Sequence, residues 1–299
     1  MALERTGIII SGLETPAPAR RRGRRVLHLI RQNPLGFFGL AIVLLFGFVA
    51  IFGTVVAPSD ARAISAGGFQ ESPSLDHFLG TDHLGRDMFS RVIIGSRISL
   101  TVGFLSVIFG TLVGTAIGIF SGYVGGSVDN FIQRTVDTAI AFPALLLLLI
   151  LTAVMGPSMR TIIIAVGIAI IPGVARVVRG AVLSERNNQY VEAARALGAS
   201  TLRILVFHIT PNVGALSIVI MTTLLGTAIL AEASLAFLGL GIPSSVTWGQ
   251  DVNDARSTFP FHFWQAFAPG AAITLTVLGF NLLGDALRDI FDPRLRGRL

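Results

Sequence analysis

At 299 residues, 52% hydrophobic and only 13% charged, with a mean hydropathy of +0.74, the chain falls far below the roughly 25% charge of soluble domains and reads as an integral membrane protein. It has no cysteine, and all 23 basic residues are arginine, which excludes disulfides, thiolate and Cys-metal chemistry, Schiff-base lysines and the lysine of a nucleotide-binding P-loop. The net charge of +6 is not interleaved with aromatic residues, so nothing indicates nucleic acid.

Taken in chain order, residues 1–34 form a basic tail, with Pro16, Pro18 and an arginine cluster suited to anionic headgroups. Residues 35–57 carry no charge and form the first span, since crossing a bilayer takes about 20 apolar residues. That run is too long for a cleaved signal, whose apolar region spans roughly 7–15 residues. Residues 58–97 make a long loop. The second span runs from Ile98 to about Ser121, the third from Thr138 to Met159 and the fourth from Thr161 to Val178. Pro143 and Pro172 lie inside the third and fourth, where a proline removes a backbone hydrogen bond and kinks a helix. A polar segment over 180–208 precedes the fifth span, Pro211–Ala231. The last span starts at about Gln265, inside the uncharged stretch Ser257–Gly284. The expected fold is therefore all-α and polytopic, with six transmembrane helices: one separate first helix, then a five-helix core over 98–288 and a short tail, 289–299.

An even number of spans places both termini on one side. That side holds 17 arginines against six on the other, so the positive-inside rule assigns both termini to the cytoplasm.

Two features carry most of the information. Gly110, Gly114, Gly118 and Gly122 recur at i+4 in the second span, a flat stripe that lets another helix backbone approach closely. In the cytoplasmic segment, Tyr190 to Leu197 are good helix formers, and Gly198 suits the left-handed stop that follows a helix. Tyr190, Val191, Ala194 and Leu197 form its apolar face. A helix this short does not stay folded alone in water and needs the membrane surface or a partner.

The run Glu192-Ala193-Ala194, three residues, Gly198 and then Pro211 resembles the EAA loop of ABC-importer permease subunits. The family pattern Ile-x-Leu-Pro is His208, Ile209, Thr210 and Pro211 here. The peptide branch shares the departure at His208 and also reads asparagine next, as at Asn212; Thr210 in place of leucine is a smaller deviation. Gly80-Thr81-Asp82-His83-Leu84-Gly85-Arg86-Asp87, the stretch Ala231 to Gly241, Trp248-Gly249 and the ending Leu287 to Arg294 resemble the C-type subunit of dipeptide, oligopeptide and nickel permeases. The likeness covers about Asn33 to the C-terminus.

That resemblance implies a type I importer permease in the bacterial inner membrane. It implies a heterodimer with a homologous permease, two cytoplasmic ABC ATPases that carry the ATP and Mg, and a periplasmic or lipid-anchored binding protein that delivers substrate. It further implies that the chain itself is not an enzyme and binds no cofactor. By the same resemblance the EAA loop is a coupling helix docked on an ATPase. Glu192 makes polar contacts, Ala193 and Ala194 allow close approach, Gly198 makes the turn, and Tyr190, Arg195 and Leu197 belong to the same surface. Substrate remains open between dipeptides, longer peptides, peptide-like solutes and nickel chelates.

Other polar residues admit more than one reading. His77, Asp82, His83 and Asp87 are types that ligate nickel or zinc, but they also belong to the motif at a membrane interface, and no metal is assigned. Glu232 near the outer end of the fifth span either faces the pathway to meet a peptide amine or pairs with an arginine such as Arg91 or Arg97, and as a residue of the family motif it is read as fixing helix geometry; Arg134 and Asp137 raise the same question. The uncharged span centres argue against an ion-coupled carrier. With His208 and His262 only near span ends, an intramembrane hydrolase lacks its machinery.

Overall fold

A computed structural model describes residues 33–64 and 68–291; the basic tail over 1–32 and residues 292–299 lie outside the described residues. Those described include ten α-helices: α1 (Pro34–Val56), α2 (Met88–Val124), α3 (Gly126–Ala141), α4 (Ala144–Met155), α5 (Met159–Glu185), α6 (Gln189–Ala196), α7 (Thr201–Ile204), α8 (Thr210–Leu235), α9 (Trp248–Asp254) and α10 (Trp264–Phe291). One wide π turn, Leu205–Ile209, feeds α8, and a second, Ala236–Leu240, follows it.

Five stretches are long and apolar enough to cross a membrane: α1, α2, α5, the run Thr201–Leu240 and α10. The straight third span expected over 138–159 is not formed: the count reaches six only if the pair α3–α4, bent by 88° at the extended Phe142 and Pro143, is taken as one span. Proline disfavours the helical region for the residue before it, so Pro143 separates two helices instead of kinking one. α4, at 12 residues, is about 18 Å long and too short to cross alone.

Helix ends differ from expectation where a charge has a partner. α2 starts at Met88, not Ile98, and its 37 residues reach about 55 Å, well beyond a hydrocarbon core of about 30 Å. Asp87 caps it by accepting from Ser90 N at 2.8 Å. Residues 88–97, assigned to the loop from sequence, are thus the first turns of α2. α5 continues past Val178 to Glu185, and Pro172 sits inside it without ending it. The polar segment over 180–208 therefore begins as helix. Residues 289–291, expected in the tail, still belong to α10.

The bundle is organised by glycine. α2 and α5 lie parallel along the four-glycine stripe: a Cβ on Gly110 would meet Gly167 O at 2.7 Å, on Gly114 Val174 Cβ at 2.8 Å, on Gly118 Ala175 O at 2.6 Å and on Gly122 Val182 Cβ at 3.0 Å. Apolar burial gives little drive between helices in lipid, so such backbone proximity is where attraction arises. α8 and α10 run antiparallel, with Gly226 against Val277 and Gly284 against Thr223. α1 leans on the outside, Gly39 against Leu282 and Gly53 against Ile93. Val102, Val107, Ile162, Ile229, Leu235 and Trp248 are buried at the centre.

Candidate functional site

α2 separates two polar ends of the molecule, its first turns touching α9 and its last residues touching α6. At the α6 end the segment folds as a short helix with a left-handed stop. Gly198 has φ +79°, and Ala199 N donates to Ala194 O and Gly198 N to Arg195 O, both at 3.0 Å. That is a Schellman closure, which satisfies carbonyls at the helix end. No neighbouring atom would meet a Cβ at Gly198, so glycine serves the backbone there and not the packing.

The face of α6 differs from the one expected. Val191 and Ala194 are buried against Val182, Ile204, Ile209 and Val213, so the bundle itself holds the helix. Leu197 is 89% exposed, because the helix ends at Ala196 and the residue sits on the turn. Glu192, Ala193, Arg195 and Gly198 are exposed too. The outward surface is thus a carboxylate, a guanidinium, an alanine and an uncovered leucine. Arg195 lies over the Tyr123 ring at 5.7 Å.

Tyr190 is held by a polar network that the sequence did not announce. Its hydroxyl donates to Glu185 Oε1 at the end of α5 and accepts from Asn212 Nδ2 in the first turn of α8 at 3.0 Å. Asn212 Nδ2 also donates to His208 O at 2.7 Å. Partial burial and then the Glu185 carboxylate hold the phenol above its ordinary pKa, so it stays a donor at neutral pH. Beside α6, Arg179 grips Asp129 through Nε and Nη2 at 2.7 and 2.6 Å, Arg186 donates to Gly122 O at 2.8 Å, and Asp137 pairs with Arg176. These contacts fasten α3 and the end of α2 to α5.

At the α9 end, the motif over 80–87 folds onto the start of α2. Asp82 accepts from Leu84 N and Arg86 N at 2.8 and 2.9 Å, and Arg86 Nη2 reaches Asp254 at 3.1 Å. His77 Nδ1 donates to Asp87 Oδ1 at 3.0 Å, so three of the four candidate metal ligands are engaged with protein groups. Arg91, buried, donates through Nε to Asp251 at 2.8 Å. Complete burial pushes the Asp251 carboxyl up to about 6 against the pull of that guanidinium.

Glu232 does not pair with Arg91 or Arg97. Arg91 belongs to Asp251, Arg97 is exposed, and Glu232, fully buried, accepts from Ser99 Oγ at 3.2 Å. Ser99 Oγ in turn accepts from Trp248 N at 3.4 Å, while Trp248 Nε1 donates to Val92 O at 2.8 Å. Glu232 thus connects α8 to α2 and α9 rather than lining an open path.

Residues 114–297 match the family described as binding-protein-dependent transport system inner membrane component. The chain belongs to that family. Residues 22–73 also match the N-terminal transmembrane domain of oligopeptide transport permease C. This inner membrane component is 42% identical to the glutathione transport system permease protein GsiD of Escherichia coli, over 95% of each chain. It is 39% identical to the dipeptide transport system permease protein DppC of Alkalihalophilus pseudofirmus, over 91% of this chain and 90% of the relative. The oligopeptide transport system permease protein OppC of Bacillus subtilis is 40% identical, over 89% and 88%. Among solved structures, the MetNI methionine ABC transporter in inward-facing conformations has a chain of the same fold, with a TM-score of 0.57 at 19% identity, covering 69% of this chain and 98% of that one. The inner membrane component is therefore a multi-pass permease subunit with an ABC-importer fold.

Proposed function

We propose that this permease forms half of the translocation pathway of an ATP-driven peptide importer, in a heterodimer with a homologous permease. Two ABC ATPases hold the ATP and Mg, and a periplasmic or lipid-anchored binding protein delivers the peptide. The observation that carries this reading is α6: a helix anchored by Val191 and Ala194 that turns Glu192, Arg195 and Leu197 outward at one end of the bundle. An uncovered leucine flanked by charges suits a protein groove better than lipid. On this reading Tyr190, Glu192, Ala193, Ala194, Arg195, Leu197 and Gly198 couple to the ATPase. The α6 end and both termini are then cytoplasmic, as the arginine excess requires, and the α9 end with the loop over 58–87 meets the binding protein. The four-glycine stripe holds α2 and α5 together. Peptide is the substrate class because the relatives at about 40% identity are named for dipeptide, glutathione and oligopeptide transport.

The test is gentle extraction of the tagged chain from its native membrane, identification of what co-purifies, and uptake assays on the reconstituted complex with dipeptide, glutathione, oligopeptide and chelated nickel. A second permease with ATPases, and ATP-dependent uptake of one of the peptides, is the expected result. A chain that extracts alone and moves solute without an ATPase overturns the reading; uptake of nickel chelate alone overturns the substrate class.

A further inference from the structure

Between α6 and the continuous helical run Thr201–Leu240 the chain turns at the left-handed Gly198, and the run carries a π turn, Leu205–Ile209, a feature frequent at functional sites. Two sets of contacts join α6 to that run. Val191 and Ala194 pack against Ile204, Ile209 and Val213, and the Tyr190 side chain adds directional polar contacts. Its hydroxyl joins Glu185, the last residue of α5, to Asn212 in the first turn of α8, which lies 22 residues beyond Tyr190 in the chain. Asn212 in turn holds the His208 carbonyl within the π turn, and the Tyr190 and His208 rings lie 6.2 Å apart between centroids.

We infer that Tyr190, though half-exposed, is a positioning residue whose hydroxyl acts as a strut that reinforces the apolar contacts of α6 and delivers its movement to α8 through Asn212, rather than a contact for the ATPase. This rests on the importer reading above and refines it. The alternative role makes different demands. A tyrosine that serves the ATPase interface through its ring loses nothing as phenylalanine. One that serves it through its hydroxyl acts independently of Asn212.

The experiment is a double-mutant cycle on the intact transporter in proteoliposomes: wild type, Tyr190→Phe, Asn212→Ala and the pair together. Labelled dialanine and glutathione are the probes, and the readout is peptide accumulated per ATP hydrolysed, alongside retention of the ATPase subunits on the tagged permease. The strut predicts that each single variant lowers the transport-to-ATP ratio by about three- to ten-fold, in line with one lost hydrogen bond. The double variant should be no worse than either single one, with ATPase retention unchanged. Additive losses overturn the strut, as does a Tyr190→Phe transporter with a normal ratio. Weakened ATPase retention in Tyr190→Phe but not in Asn212→Ala returns Tyr190 to the docking surface and also overturns it. A wild-type permease that retains no ATPase overturns the importer reading and the strut with it, so the two failures are distinguishable.

Discussion

Alanine at Gly118 places a methyl carbon 2.6 Å from the Ala175 carbonyl oxygen and 2.8 Å from Val178 Cβ, where relaxed contacts lie near 3.5 Å. Both obstacles belong to the rigid wall of α5, a carbonyl oxygen and a branched Cβ, so neither can rotate aside. The two helices must separate by more than half an ångström, at a cost of roughly 1–3 kcal/mol for overpacking. Better helix propensity returns about 1 kcal/mol, leaving a net loss of up to about 2 kcal/mol. At Gly122 the nearest atoms are 3.0 and 3.1 Å away, a displacement of only tenths of an ångström, and the two effects nearly cancel. The expected order is therefore Gly118→Ala clearly destabilised and Gly122→Ala close to wild type, in the same helix with the same chemistry. Equilibrium unfolding of the purified permease in SDS–detergent mixed micelles measures this directly. The fluorescence of buried Trp248, which packs against Gly95 of α2, serves as reporter. A Gly118→Ala midpoint at or above wild type, or a larger loss at Gly122, refutes the account of the stripe as backbone contact.

Leucine at Gly114, where even a Cβ would sit 2.8 Å from Val174 Cβ, should sharply reduce recovery of assembled transporter on gel filtration; undiminished recovery counts against the stripe. Valine at Gly198 must take φ near +79° at a cost of about 1–2 kcal/mol. Since that site is open, ATP-driven peptide uptake should fall while membrane insertion is kept, and Gly198→Asn should keep most uptake because asparagine tolerates the left-handed region; equal uptake in both variants would falsify the turn assignment. Arg91→Ala strands the buried Asp251 carboxylate and should cost about 3–5 kcal/mol, read as a lowered unfolding midpoint; a midpoint within error of wild type dismisses the pair as structural.

Legibility from sequence followed interaction range. The i+4 glycines and the helix ending before Gly198 are local patterns, and each corresponds to an element at nearly the expected place; the apolar runs also mark helices, the second starting early at Met88 and the third broken at Phe142-Pro143. What was hidden depended on residues far apart in the chain. The sequence starts the second span at Ile98, where an uncharged stretch begins just after Arg97. Arg91 is neutralised by Asp251, 160 residues away, and α2 is long enough to carry it beyond the hydrocarbon core. For Glu232 the sequence offers the pathway or an arginine such as Arg91 or Arg97 as partner, whereas the structure gives it the Ser99 hydroxyl. The bend at Phe142-Pro143 was half visible: proline was noted, but a continuous apolar run concealed that α4 alone is too short to span.

The same distinction explains why spacing locates α6 within a residue of its Gln189–Ala196 extent but misassigns its apolar face. Spacing alone assigned Tyr190, Val191, Ala194 and Leu197 to one apolar side, as an ideal helix of at least two turns requires. In an eight-residue helix the last of these positions already lies on the closing turn, and the first is drawn off the face by hydrogen bonds to Glu185 and Asn212. Two buried residues remain, Val191 and Ala194. Burying one valine contributes about 1.5–3 kcal/mol, of the same order as the backbone entropy of ordering one or two residues. The anchor thus orients the helix against the bundle and touches α8 at Val213, but apolar contacts are non-directional. The hydrogen bond from Asn212 to the Tyr190 hydroxyl adds a directional contact between the same two helices.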